Sequence, residues 1–310
     1  MPRILATLLL LPALAAGCGG HGHAAGSTTR KAPVLLNAGR LVDIGGGRSL
    51  YLHCVGSGSP TVVLEAGFGG SSDVWSGVQP QLGRTTRTCA YDRAGLGNSL
   101  PMHGVHDAGD EIRDLEALLQ HAKVPPPYVL VGHSYGGLLV RLFAASHARQ
   151  TDGVVLVDAM GRDQDRRSLA VRRTLPATAR RKLPVESEVQ GGVDLAAGEA
   201  LDAKLPGLGA LPLAVITRGR NGSEDTGLPA QARRALDGLW TKMQAELAAL
   251  STDRVHVVAT RSDHFVQSAA AGQPGVVIRA VRAVAAAART RTSLPPCPRV
   301  FDGPGVRCLN

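Results

Sequence analysis

The chain has 310 residues and is 44% hydrophobic, which allows one large α/β domain or two small ones around a sizeable core. Aromatic residues make up only 3%, so alanine, valine and leucine must fill that core. The net charge of +9 would suit an anionic partner such as a membrane surface. No basic stripe interleaves with aromatics, however, which argues against a nucleic-acid partner and leaves the charge as an arginine-rich composition.

Residues 1–17 have the form of an export signal, with Arg3, an apolar stretch from Ile4 to Ala16 and small residues after it. That stretch is too short to cross a bilayer. Leu14-Ala15-Ala16-Gly17-Cys18 resembles the bacterial lipobox, and the resemblance implies that Cys18 becomes the lipidated N-terminus of an exported protein held at the cell membrane; the alternative is an ordinary secretory signal cut near the alanines, which leaves the protein extracellular. Residues 18–33 are rich in Gly, Ser, Thr and His and read as a flexible tether. Setting Cys18 aside leaves Cys54, Cys89, Cys297 and Cys308. An even number in an exported chain suggests disulfides. The expected pairing is Cys54–Cys89 and Cys297–Cys308, the second stapling the proline-rich tail of residues 293–310.

The folded domain is predicted over residues 34–292. Ser49 to Val55 alternates like a strand, and Thr61 to Glu65 is a β-branched run that ends at Ala66-Gly67-Phe68-Gly69-Gly70. Ser72 to Leu82 suits one short helix. Arg87 to Tyr91 is a strand running into Asp92-Arg93-Ala94-Gly95-Leu96-Gly97-Asn98-Ser99. A helix follows from about Asp110, apolar at Ile112, Leu115, Leu118 and Leu119. Val129 to Val131 is a buried strand that passes through Gly132-His133-Ser134-Tyr135-Gly136 directly into an apolar helix. Gly153 to Val157 is a strand ending at Asp158. Residues 159–210 are polar and basic, and are predicted to be a helical insertion over the site. Leu213 to Thr217 returns to strand, a helix covers about Ala232 to Leu250, and Arg254 to Ala259 is the last clear strand. A closing helix spans Val276 to Ala288. Strands alternating with helices imply a mostly parallel sheet covered on both faces. In such sheets the loops at the strand carboxyl ends hold the site.

A serine on so abrupt a strand-to-helix turn needs small neighbours, because other backbone must pass close to it and its own conformation is strained. The helix N-terminus behind Ser134 favours negative charge. A serine hydroxyl needs a base, and His264, at the end of the last strand in Ser262-Asp263-His264, is the candidate. These stretches, with Leu64-Glu65-Ala66-Gly67-Phe68-Gly69 and the Asp92 to Ser99 loop, occur in the order of an α/β-hydrolase fold serine hydrolase of the esterase and lipase kind, which the chain resembles over about residues 34–290. The resemblance implies an α/β fold with a helical lid insertion, a Ser134–His264–acid triad, and an oxyanion hole from the backbone N–H groups of Phe68 and Tyr135. The acid is expected at Asp158, rigidly placed at a strand end, with Asp225 and then Glu224 in the following loop as alternatives. Ala66 stands where most relatives have histidine, and Asp263 where glycine is common.

The implied reaction is hydrolysis of a carboxylic ester on a small-molecule acyl substrate. Peptidases, acyltransferases and carbon–carbon bond hydrolases use the same groups, and a non-catalytic binding protein on this fold is the rival of another class. A serine rather than an aspartate at the turn argues against epoxide hydrolase and dehalogenase chemistry. No Walker motif and no zinc-helix histidine pair is present, so no cofactor or metal is expected.

Overall fold

The computed structural model describes residues 39–180, 189–190, 192–220 and 229–309. The export signal, Cys18, the tether and the candidate acids Glu224 and Asp225 lie outside the described residues. Strands β1 (Arg40–Gly45) and β2 (Arg48–Val55) form an antiparallel hairpin. Strand β3 (Thr61–Glu65) is buried at every position. Instead of one helix, residues 72–82 form a 3₁₀ turn, Ser72–Trp75, and a separate helix α1 (Gln79–Leu82). Pro80 lies in the first turn of α1, where its ring is tolerated; further inside a continuous helix it would clash.

Strand β4 (Thr88–Tyr91) leads through a loop to the two-residue β5 (His106–Asp107) and then to α2 (Ala108–His121). Asp107 and Asp110 cap the start of α2 reciprocally, each side chain accepting the other's backbone N–H. Strand β6 (Tyr128–His133) then enters α3 (Tyr135–Ser146), and β7 (Thr151–Val157) follows. The described residues of 159–210 include three helices, α4 (Gln164–Thr174), α5 (Ala177–Arg180) and α6 (Leu195–Asp202). They also include two short strands, β8 (Val189–Gln190) and β9 (Val193–Asp194), which join β5 in a small second sheet. A bidentate ion pair between buried Arg141 on α3 and Asp202, at 2.9 and 2.8 Å, ties α6 to the body. The remaining elements are β10 (Leu213–Arg218), α7 (Ala230–Ala248), β11 (Arg254–Ala259), α8 (Pro274–Thr290), α9 (Cys297–Val300) and β12 (Val306–Leu309).

The main sheet runs β1-β2-β4-β3-β6-β7-β10-β11-β12 and is parallel from β4 to β11. Its central strands carry continuous apolar runs because each is covered twice. Val63, Leu130, Leu156 and Val215 enter the core under α2, α3 and α7, while Leu64, Val131, Val155 and Ile216 enter the core under α8.

Two edge strands exceed the sequence expectation. β1 precedes the first expected strand, and β12 makes the tail of residues 293–310 part of the sheet, antiparallel to β11. Both expected disulfides are present. Cys54–Cys89 joins the neighbouring strands β2 and β4, and Cys297–Cys308 joins α9 to β12.

Candidate active site

Ser134 stands between β6 and α3 with φ 53° and ψ −123°, a region costly for any residue with a side chain. The glycines beside it are explained by contact. A Cβ on Gly132 would lie 2.3 Å from the Gly136 carbonyl oxygen, and one on Gly136 would lie 2.4 Å from that of Ala66. The turn is pinned to the neighbouring strand end: Ser134 N–H donates to Val157 O at 3.2 Å, and Met160 N–H donates to Ser134 O at 2.8 Å.

That strand end carries Asp158, fully buried with φ 42°. One carboxylate oxygen accepts Arg218 N–H at 3.0 Å and Trp240 Nε1–H at 2.8 Å. The other accepts Arg218 Nη1 at 3.0 Å and His264 Nδ1 at 2.7 Å. Burial alone would raise the Asp158 carboxyl, but the His264 hydrogen bond and the Arg218 charge outweigh it and hold the group below the usual carboxylate range. With Nδ1 donating to Asp158, Nε2 is the nitrogen of His264 left to act as a base. Arg218 stacks on Trp240, 4.4 Å from the ring centroid, and the indole meets the His264 ring edge-on at 5.8 Å.

The loop bearing His264 is tied to the serine turn through His133. Its ring packs 4.6 Å from the His264 ring, and its Nε2 donates to the His264 carbonyl at 2.9 Å. Burial pushes the His133 imidazole down to about 3, so it is neutral. Gly67 leaves room for it: a Cβ there would lie 2.9 Å from His133 Nδ1. Asp263, beside His264, accepts Phe265 N–H at 3.0 Å and stabilises the loop locally.

Phe68 occupies a turn closed by Gly70 N–H to Gly67 O at 3.1 Å, and its own N–H meets no acceptor among the described residues. Tyr135 is the first residue of α3, so its N–H has no intrahelical partner. Two backbone donors in the stretches next to Ser134 thus have no partner among the described residues. The Phe68 and Tyr135 rings meet edge-on at 5.9 Å. Phe68 and Phe265, two of the four phenylalanines in the chain, are 40% and 47% exposed, and Phe265 packs 5.5 Å from the His264 ring. Two exposed aromatic rings thus lie beside the catalytic loops.

Beneath the Phe68 turn lies a buried polar cluster. Arg93 donates to Glu65 Oε1 at 2.5 Å and to the carbonyls of Ala66 and Gly67 at 2.8 and 2.7 Å. Tyr91 donates its hydroxyl to the other Glu65 oxygen, and Tyr135 donates to Glu111 at 2.7 Å. Burial pushes the Glu65 carboxyl up to about 7, against the Arg93 charge.

The structure pairs Asp158 with His264, ties the His264 loop to the Ser134 turn through His133, and sets Phe68 against Tyr135, while Asp225 and Glu224 lie outside the described residues. Sequence reasoning missed Arg218, Trp240 and Glu111. Arg218 had a signal, because it ends a strand at the sheet edge that bears the site. Among the described residues no group of three or more histidine, cysteine or acidic side chains could hold a metal ion, and no helix is long and apolar enough to cross a membrane.

Residues 60–272 match the family model of the alpha/beta hydrolase fold. The chain is 38% identical over 106 residues to the uncharacterized protein YqjL of Bacillus subtilis, covering 34% of this chain and 42% of that protein. It is 35% identical over 127 residues to the 2-hydroxy-6-oxo-2,4-heptadienoate hydrolase of Pseudomonas putida, covering 40% of this chain and 45% of that one. Each match spans less than half the length of the curated relative. A thermophilic esterase from Thermogutta terrifontis superposes with a TM-score of 0.52 at 20% identity, over 79% of this chain and 96% of that structure, a likeness of fold.

Proposed function

From the membership of this chain in the alpha/beta hydrolase fold family, we propose that it is a serine hydrolase that cleaves carboxylic esters through an acyl-enzyme. The observation that carries the reading is the hydrogen bond between buried Asp158 and His264 Nδ1, in a loop tied to the Ser134 turn. Ser134 Oγ attacks the acyl carbonyl while His264 Nε2 takes its proton. The carbonyl oxygen becomes an oxyanion held by the N–H groups of Phe68 and Tyr135. The C–O bond breaks as His264 returns the proton to the leaving alcohol. Water, deprotonated by the same nitrogen, then releases the acid and restores Ser134. Asp158 stays ionised throughout, holding the tautomer and facing the imidazolium.

The exposed Phe68 and Phe265 favour an apolar acyl or alcohol group over a charged one, and the helical insertion of residues 159–210 is the part of the chain suited to act as a lid. Two disulfides favour an oxidising compartment, in keeping with export and with a lipid anchor at Cys18. The name of the Pseudomonas relative favours a second reading, hydrolysis of a carbon–carbon bond beside a carbonyl.

A fluorophosphonate probe and a panel of p-nitrophenyl esters of increasing chain length test the proposal. The wild type should label and turn over with a chain-length preference, and Ser134→Ala should lose labelling and at least about ten-thousandfold in kcat. Equal labelling of Ser134→Ala would end the hydrolase reading. Labelling without turnover of any ester would favour the carbon–carbon reading.

A further inference from the structure

The proposed chemistry uses two N–H groups and leaves unexplained the buried ion cluster under them. Arg93 is 5% exposed, yet only part of its hydrogen bonding goes to a carboxylate. Nη1 reaches Glu65 Oε1 and the Ala66 carbonyl, and Nη2 reaches the Gly67 carbonyl at 2.7 Å. The Gly67 carbonyl belongs to the peptide whose N–H is that of Phe68. A trans peptide is planar, with C=O and N–H pointing in opposite directions. A guanidinium that holds the Gly67 carbonyl therefore aims the Phe68 N–H away from the buried cluster.

The second donor is connected to the same cluster. Arg93 Nε lies 3.2 Å from Glu111 Oε1, a charge contact, and Glu111 Oε2 accepts the Tyr135 hydroxyl at 2.7 Å. The guanidinium also lies 5.5 Å from the centre of the Tyr135 ring. One buried cation thus touches the peptide of one donor directly and meets the residue of the other both at its ring and through Glu111. Glu65 and Glu111 hold that cation from two sides, and the first is fixed further by Tyr91.

We propose that Arg93 is the positioning residue of the oxyanion hole: by holding the Gly67 carbonyl and, through Glu111, Tyr135, it fixes both N–H donors in the direction the tetrahedral oxyanion requires. The proposal rests on the serine-hydrolase reading and deepens it. Arginine suits the task because its charge is permanent and its planar fork serves several acceptors in fixed directions, whereas lysine is a single point charge on a flexible stem. A charged donor on the carbonyl also polarises the peptide, which strengthens its N–H as a donor.

The test compares the full-length wild type with Arg93→Lys and Arg93→Met. Each is measured for kcat and KM on one p-nitrophenyl ester, for the affinity of a trifluoromethyl ketone that adds to Ser134 to form a tetrahedral oxyanion, and for its thermal midpoint. A hole that has lost its alignment binds substrate as before but the oxyanion poorly. The Met variant should keep KM within about twofold while kcat and trifluoromethyl ketone affinity fall together by about tenfold to a hundredfold, a part of what losing a whole donor costs. The Lys variant should recover part of both. If Arg93→Met does not fold, the same parallel loss in Arg93→Lys carries the test. A lower thermal midpoint with unchanged kcat and ketone affinity in a labelled enzyme would reduce Arg93 to a structural ion pair and overturn the proposal alone. A wild type that neither labels nor turns over would overturn the hydrolase reading and this proposal with it.

Discussion

Four hydrogen bonds converge on the two oxygens of Asp158, from His264, from Trp240 and from both the backbone and the side chain of Arg218. They keep the carboxylate ionised in a fully buried place and fix which oxygen faces the imidazole. Asparagine tolerates the positive φ of this position, so Asp158→Asn should fold, but its amide cannot hold the correct histidine tautomer. We expect kcat/KM to fall about a thousandfold or more in that variant. Trp240→Phe removes one neutral donor and keeps an aromatic ring beside His264, so a loss of about fivefold is expected, the worth of one such hydrogen bond. Steady-state kinetics on a single ester measure both. An Asp158→Asn enzyme with more than a tenth of wild-type activity would move the acid to residues 221–228, where Glu224 and Asp225 are. In the sequence Asp158 was legible because it ends a strand. Trp240 was not, since a tryptophan in an amphipathic helix reads as core. That its N–H reaches Asp158 depends on how α7 is rotated against the sheet, which no local pattern fixes.

The turn from β6 to α3 is the element most fully determined by its residues, because its glycines sit against backbone that cannot yield. A Cβ on Gly132 would lie 2.3 Å from Gly136 O and 2.7 Å from Gly137 Cα. Gly238, exposed in the middle of α7, has nothing within 4 Å of the same added atom. Gly132→Ala should therefore destabilise the fold by about 3 kcal/mol or more through forced backbone movement. Gly238→Ala should stabilise it by about 0.5–1 kcal/mol by removing backbone freedom from the unfolded chain. Urea midpoints of the two variants should move in opposite directions, and a harmless Gly132→Ala would mean that the turn is not packed as described. The same contrast governs what could be read beforehand. Strand β6 and helix α3 announce themselves through an apolar run and helical spacing joined by a glycine-rich turn. Strand β12 has four residues behind a Pro- and Gly-rich stretch, and exists because β11 offers an open edge and the Cys297–Cys308 bond brings the tail to it.

Across the molecule, the parallel centre of the sheet was legible and its margins were not, because two-sided burial writes a continuous apolar signal whereas edge strands depend on a partner. The burial that makes the centre legible also gives the whole domain a dependence on pH. His133 and His256 are 2% and 6% exposed, and burial pushes them down to about 3 and about 4. The unfolded chain takes up protons on both near 6.5 and the folded one does not, so their contribution is fully present above 6.5 and is lost as the pH falls toward those values. Glu65 and Glu199, pushed up to about 7 by burial, act in the opposite sense: what they contribute is present below about 4.5 and lost as the pH rises through 7. The two effects oppose each other between about 4.5 and 6.5, so the wild-type stability curve should be shallow there, and a variant is needed to separate them. His133→Asn removes one titration and leaves the carboxyls in place. The stability of the wild type relative to that variant should decline by about 1.4 kcal/mol for each pH unit below 6.5. Urea unfolding of both proteins at pH 4, 5, 6 and 7 measures it, and a constant difference would mean that His133 takes up its proton in the folded protein as readily as in the unfolded chain.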